Sequence, residues 1–315
     1  MKLSPVAVIL GATGAGKTGL AIRLAQELGA EIISADSLQV YREMDIGTAK
    51  PTPEQRAAVP HHLIDVVFPD EEFDAAQYCR RGRQVIADLH ARRIPPLVVG
   101  GTGLYIKALL QGLFDDQVQD RVIRNRLRQE LAILGLPELY ARLHRLDPKV
   151  AIRLHPNDAF RILRALEVIE ANGQPLSRLQ QAHRFQDRPY RVLKLGLALD
   201  RDQLYDRINA RVEEMLAQGF LTEVEALLSR YDRGLKPFQA LGYRHLISYL
   251  QDGGDWEATI DRLKRDTRRY AKRQMTWFRA DPEIYWLAPD HWLEIRERLR
   301  EFFNQLLSVR DKQLR

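Results

Sequence analysis

A run of five apolar residues, Val6–Leu10, passes directly into Gly11-Ala-Thr-Gly-Ala-Gly16-Lys17-Thr18, and Thr18–Leu28 then carries helical periodicity. The octapeptide fits G-x-x-x-x-G-K-[ST], and a strand before it with a helix after it is the context that gives the pattern its meaning. Glycines let successive backbone N–H groups converge on phosphate oxygens, and the helix N-terminus adds partial positive charge. Lys17 is expected to reach the terminal phosphate, and the Thr18 hydroxyl to hold Mg²⁺. A P-loop of this kind belongs to a parallel α/β sheet, but it names no substrate: ATPases, GTPases and small-molecule kinases share it. The strand Leu97-Val-Val does not end in the aspartate that usually accompanies it, and no N-K-x-D guanine signature occurs.

The first hundred residues continue the alternation. Glu31–Ser34 reads as a second strand ending at Asp36, Phe73–Arg92 as a helix, and Pro96–Val99 as a third strand entering Gly100-Gly101-Thr102-Gly103. Strands alternating with helices predict a parallel sheet whose ligands sit at the carboxyl ends of the strands. From about Leu113 to Tyr190 only helical patterns appear: Arg121–Leu134, Pro137–Leu146 and Asp158–Glu170. Arg191–Leu199 then returns as a strand. The expected organisation is a P-loop α/β core over residues 1–112 and 191–315, with helices on both faces of its sheet, and an all-helical insertion over 113–190. Asp202–Gln218, Leu221–Tyr231, Arg244–Leu250 and Trp256–Phe278 read as further helices, and the tail after Leu307 as frayed.

Asp36 follows a short apolar strand, so it belongs at the sheet edge beside the P-loop. There a carboxylate can bind metal, act as a base or cap a turn. Thr102 is expected to point into the same cleft. Asp45–Pro51 reads as a surface loop. His61 and His62 are adjacent on an extended segment and cannot both face one metal, which leaves a structural or a substrate-positioning role, the structural one favoured. In the Arg262–Arg279 helix, Arg262, Arg265, Arg269, Lys272 and Arg273 form a basic stripe, and Leu263, Tyr270 and Trp277 an apolar one facing the core.

Charge bears on partners. Residues 1–120 hold 12 basic and 15 acidic residues, whereas residues 121–315 hold 36 and 27, so the net +6 comes entirely from the later part. Such a basic remainder suits nucleic acid, or a solvated arginine-rich surface. With 45% hydrophobic and 29% charged residues the chain is no disordered polymer. Its single cysteine, Cys79, excludes an internal disulfide or a cysteine-built zinc site. No apolar run approaches the ~20 residues of a membrane span. A cytoplasmic protein is expected.

GATGAGKT, ISADSLQVYREMDIGTAKPTPEQ, HHLID, GGTGLYIKALLQGL, RLHPNDAFRILRALEV, GF-x-x-EV, ALGYRHLISYL and YAKRQMTWFR occur in this order. In these strings the chain closely resembles the bacterial tRNA dimethylallyltransferases. Its P-loop reads GATGAGKT where many members have GPTASGKT; both fit the phosphate pattern.

The resemblance implies transfer of a dimethylallyl group from dimethylallyl diphosphate to the exocyclic amine of the adenine 3′ of the anticodon, in tRNAs reading codons that begin with U. It implies Gly11, Ala12, Thr13, Gly14, Ala15, Gly16, Lys17 and Thr18 as the diphosphate loop, with Mg²⁺ at Thr18 and no hydrolysis of ATP. Asp36, Thr102 and Arg211 are implied as catalytic. For contacts with the anticodon stem-loop it implies Asp36, Ser37, Leu38 and Gln39, Thr102 and Arg124. To these it adds Phe160, Arg161, Ile162, Leu163 and Arg164, then Gly242, Tyr243 and Arg244, and finally Lys272, Arg273, Gln274, Trp277 and Arg279. A monomer is expected. Three other readings stay open: an isopentenyltransferase acting on free AMP or ATP, a P-loop small-molecule kinase, and a non-catalytic RNA-binding protein.

Overall fold

Six parallel strands form one sheet in the order β3-β2-β4-β1-β5-β6. They are β1 (Ser4–Gly11), β2 (Glu31–Ala35), β3 (His61–His62), β4 (Pro96–Gly100), β5 (Tyr190–Leu197) and β6 (Ile284–Leu287). The computed structural model describes residues 3–112, 121–183 and 187–311. Alternation along the strands explains the layering. Val6, Val8, Leu10, Ile33 and Val98 point into one core, while Ala7, Ile9, Ile32, Leu97 and Val99 point into another on the opposite face. A sheet covered on both faces needs near-continuous apolar strands, which is what VAVIL and PLVV supply.

The central strand β1 pairs with β4 on one side and β5 on the other. The chain leaves β1 for β2, two places away, and later returns to β1's other side. That reversal opens a crevice at the carboxyl ends of β1 and β4, where the P-loop and the Gly100–Gly103 turn lie. The helices Arg201–Ala217, Phe220–Leu228, Tyr243–Asp252 and Trp256–Arg279 contribute to the first core, and Lys17–Leu28 and Trp292–Asp311 to the second.

The chain divides into two compact units, Met1–Leu110 with Arg188–Arg315, and Gln111–Asp187. The smaller unit is helical among its described residues. Its core gathers Leu127, Leu139, Leu143, Ile162 and Leu166. The helical run Arg121–Leu146 bends at Gly135, whose φ of 77° leaves the helical region, just where the sequence pattern breaks before Pro137. Residues 113–120 and 184–186 of the expected insertion lie outside the described residues.

Several expectations are corrected. Two short strands, β3 and β6, had no separate signal. The final helix reaches Asp311 rather than fraying after Leu307. Asp45–Pro51 is not a plain surface loop: Gly47 sits so close to Phe220 and Tyr243 that a Cβ has no room. The buried face of Trp256–Arg279 runs through Ile260, Leu263, Ala271, Gln274 and Phe278, and Trp277 stands 48% exposed. A seven-residue spacing drifts ~20° per repeat around a 3.6-residue helix, enough to carry the third member off the buried face.

Candidate active site

The P-loop closes as a tight turn, with Ala15 N–H donating to Ala12 O, and Gly16 at φ 87° leads into the Lys17–Leu28 helix without a side-chain cap. Lys17 Nζ folds back and donates to Ala12 O at 2.7 Å. Burial, then the neighbouring Arg211, push its pKa from 10.5 down to about 8, with Asp36 opposing. Burial also draws Arg211 below its usual value, opposed by Asp36 and Glu214. Two cations with Asp36 as their shared carboxylate neighbour make a loop short of negative charge, the electrostatic condition for binding a polyanion.

Asp36 ends β2's extension and caps its own turn. Its Oδ1 accepts from Leu38 N–H at 2.9 Å and, more weakly, from Gln39 N–H at 3.4 Å. Ser37 N–H donates to Thr102 Oγ1 at 3.1 Å, and Thr102 N–H to Ala35 O. Thr102 thus ties the β4 loop to the Asp36 turn. It was expected to point into the cleft, yet Gly100 and Gly101 line the cavity and Thr102 does not.

The cavity has a volume of about 470 Å³, within the range of small-molecule sites. Helix geometry gives its shape. Ile208, Arg211, Val212 and Met215 all line it, and their spacing is one face of a helix. Ile208 packs against Gly14 of the P-loop. Met215 lies seven residues on, ~10 Å farther along the axis. The second wall is Leu263, Thr267, Tyr270, Arg273 and Gln274. Gln274 stands at the P-loop end: its Oε1 accepts from Thr13 N–H and its Nε2 donates to Gly101 O, both at 2.9 Å. A phosphate-binding end therefore continues into a wall of mixed apolar and polar side chains. Tyr270 stays protonated, pushed to about 12 by burial and then by Asp36.

Other expected residues fall in several places. Ser37, Leu38, Gln39, Gly242, Arg244 and Arg273 line the cavity. Gln274, expected to meet RNA, is buried and has both ends of its amide engaged by the two glycine loops. Tyr243 is fully buried and its hydroxyl donates to Glu223 Oε1 at 2.7 Å. Lys272, Trp277 and Arg279 are exposed. In the smaller unit, Phe160 and Arg161 are exposed, Leu163 is half-buried, and Ile162 belongs to the core, so its side chain is not offered to a partner. Arg124 and Arg164 both pair with the buried Glu167. His62 is bonded to Glu31 Oε2, while His61, bonded to Val59 O, also lines the cavity.

Glu223 is the glutamate of the GF-x-x-EV string, and its role shows only in its partners. Its carboxylate accepts from the N–H groups of Asp45, Ile46 and Gly47 as well as from Tyr243. Gln39 then donates to Thr48 O and Ala49 O while its Oε1 accepts from Ser34 Oγ. The Asp45–Pro51 loop is thereby fixed against the Asp36 turn, and Gly47, Thr48 and Pro51 become cavity wall. Each such bond to a charged acceptor is worth ~1.5–3 kcal/mol. Among the described residues no group of three or more His, Cys, Asp or Glu side chains is placed to hold a metal.

The family model described as IPP transferase matches residues 39–281. A tRNA dimethylallyltransferase 2 of Syntrophus aciditrophicus is 55% identical over 289 residues, covering 91% of this chain and 93% of that relative. The crystal structure of a tRNA isopentenylpyrophosphate transferase from Bacillus halodurans is 37% identical, with a TM-score of 0.71, over 98% of this chain and 100% of that one. A eukaryotic dimethylallyltransferase acting on tRNA is 30% identical, with a TM-score of 0.81, over 97% of this chain and 80% of that one. A P-loop and an aspartate lining one cavity, with this extent of similarity, place the chain in the IPP transferase family of tRNA dimethylallyltransferases.

Proposed function

We propose that this enzyme transfers the dimethylallyl group of dimethylallyl diphosphate to the exocyclic N6 amine of the adenine 3′ of the anticodon, in tRNAs reading codons that begin with U. The observation that carries the reading is that Asp36 lines the same cavity as Lys17 and Arg211 and is near enough to act on the charge of both. The N6–C1 bond forms as the C1–O bond to diphosphate breaks, and the leaving group departs with the electron pair. The N6 proton goes to the Asp36 carboxylate, whose Oδ1 is held by the turn. Lys17, Arg211 and the loop N–H groups stabilise the charge growing on diphosphate. Thr102 acts through the Asp36 turn by holding Ser37 N–H.

Thr18 lines the cavity beside Lys17, and its hydroxyl would hold a Mg²⁺ ion bound together with the diphosphate. When bound, the ion would neutralise part of the diphosphate's charge. The adenine leaves the anticodon-loop stack to enter the cavity. Ser37, Leu38, Gln39, Gly242 and Arg244 meet it at the wall. Lys272, Arg273, Trp277 and Arg279 bind the surrounding loop, as do Phe160, Arg161, Leu163, Arg124 and Arg164 of the helical unit. The enzyme acts as a monomer. No helix among the described residues is long and apolar enough to cross a membrane, and the place of work is the cytoplasm, where tRNA is.

Incubating the protein with unmodified tRNA, dimethylallyl diphosphate and Mg²⁺, then measuring nucleosides by mass, tests the reading. Dimethylallyl-adenosine in tRNA, formed without ATP, is expected. Product on free AMP with none on tRNA, or a strict need for ATP, overturns it.

A second expectation concerns the basic stripe. Arg269 is exposed and shares Asp266 with Arg244, and Lys272 is exposed. Replacing both Arg269 and Lys272 with Ala should weaken anticodon stem-loop binding and make its salt dependence shallower by up to ~1 unit of slope per lost phosphate contact. Diphosphate binding should be unchanged. Equilibrium titrations at several salt concentrations check this; a wild-type slope removes the stripe from the interface.

A further inference from the structure

Arg207 lies one helical turn before Arg211 on the Arg201–Ala217 helix. Residues four apart leave the same side of a helix ~6 Å apart along its axis. Arg211 lines the cavity and Arg207 does not. Instead, Arg207 Nη1 lies 3.4 Å from the position a Cβ on Gly16 would take. It therefore stands over the last glycine of the P-loop, at the uncapped N-terminus of the Lys17–Leu28 helix.

Nearby arginines are engaged elsewhere. Arg268 donates to Asn209 Oδ1 at 2.6 Å, and Arg201 covers the Tyr205 ring. Arg207 is exposed and, among the described residues, has neither an ion pair nor a hydrogen bond. An arginine kept against the loop backbone without a carboxylate adds a third positive charge beside Lys17 and Arg211. Among the described residues, Asp36 is the only carboxylate lining the cavity. A planar guanidinium presents paired donors that match phosphate oxygens.

We infer that Arg207 is a diphosphate-binding residue that closes the outer side of the P-loop on the donor and on the released diphosphate. The inference rests on the function proposed above. Arg211 acts inside the cavity, where charge develops during transfer. Arg207 holds the same anion from outside, before and after the reaction. It contributes equally to ground-state and transition-state binding, so its removal moves KM and leaves kcat nearly in place.

The test compares wild type, Arg207→Ala and Arg207→Lys. Calorimetry with inorganic diphosphate and Mg²⁺ measures anion binding, a labelled anticodon stem-loop measures RNA binding, and initial rates give KM for dimethylallyl diphosphate. Arg207→Ala should weaken diphosphate binding about tenfold or more and raise KM by a similar factor, as loss of a charge-assisted hydrogen bond does. Its kcat should stay within about threefold of wild type and its stem-loop affinity should not change. Arg207→Lys should recover part of the loss. Unchanged diphosphate affinity in Arg207→Ala overturns the inference. So does a fall in stem-loop affinity alone, which makes Arg207 an RNA-phosphate contact. If wild type itself binds no diphosphate, the proposed function fails together with the inference; if wild type binds it and the variants match, only the inference fails.

Discussion

Asp36→Ala is expected to transfer the dimethylallyl group ~10²–10⁴ times more slowly than wild type, with tRNA affinity largely kept. The amine of adenine is a weak nucleophile, and it must shed a proton as the new bond forms. Asp36 has two jobs, because its Oδ1 also accepts from the N–H groups of Leu38 and Gln39. Asp36→Asn separates them. An amide oxygen can keep both turn bonds but cannot take up the proton. If Asn and Ala variants are equally impaired in single-turnover rates, Asp36 is the base. An Asn variant near wild type beside a dead Ala variant would reduce Asp36 to a capping residue.

Lys17→Ala should lower turnover by ~10²–10³, the scale of losing one donor to developing negative charge. It should also weaken binding of dimethylallyl diphosphate. With no anion bound, burial lowers the pKa of Lys17 to about 8, and this sets a pH signature. Lys17 is mostly charged at pH 7 and mostly neutral at pH 9, and a bound diphosphate raises its pKa again. Binding above pH 8 therefore takes up a proton, so the dissociation constant should rise about tenfold per pH unit until the pKa of the complex is passed. In Lys17→Ala that slope should disappear, leaving only the ligand's own titration. Direct binding measured from pH 7 to 10 in both proteins checks it; identical slopes would mean that Lys17 does not sense the anion.

The parallel α/β core, the P-loop with its flanking strand and helix, and the placing of Asp36 at a strand end were all legible in the sequence. Each depends on local pattern: short apolar runs, glycines that alone permit the loop's backbone, and a helix starting at once after Gly16. The reaction and the tRNA acceptor came from resemblance over long strings, since a P-loop by itself is shared by several chemistries. What only the tertiary structure decided involves partners far apart in the chain. Gln274 is bonded to Thr13 and Gly101, Glu223 gathers the N–H groups of Asp45, Ile46 and Gly47, and Arg207 reaches Gly16. Thr102 proved to hold the Asp36 turn, and Trp277 turned outward although its spacing matched the core. Hydrophobic period and turn chemistry act within a few residues, so they mark strands, helices and loops. Which polar groups meet across 170 or more residues is set by how those elements pack, and no local pattern encodes it.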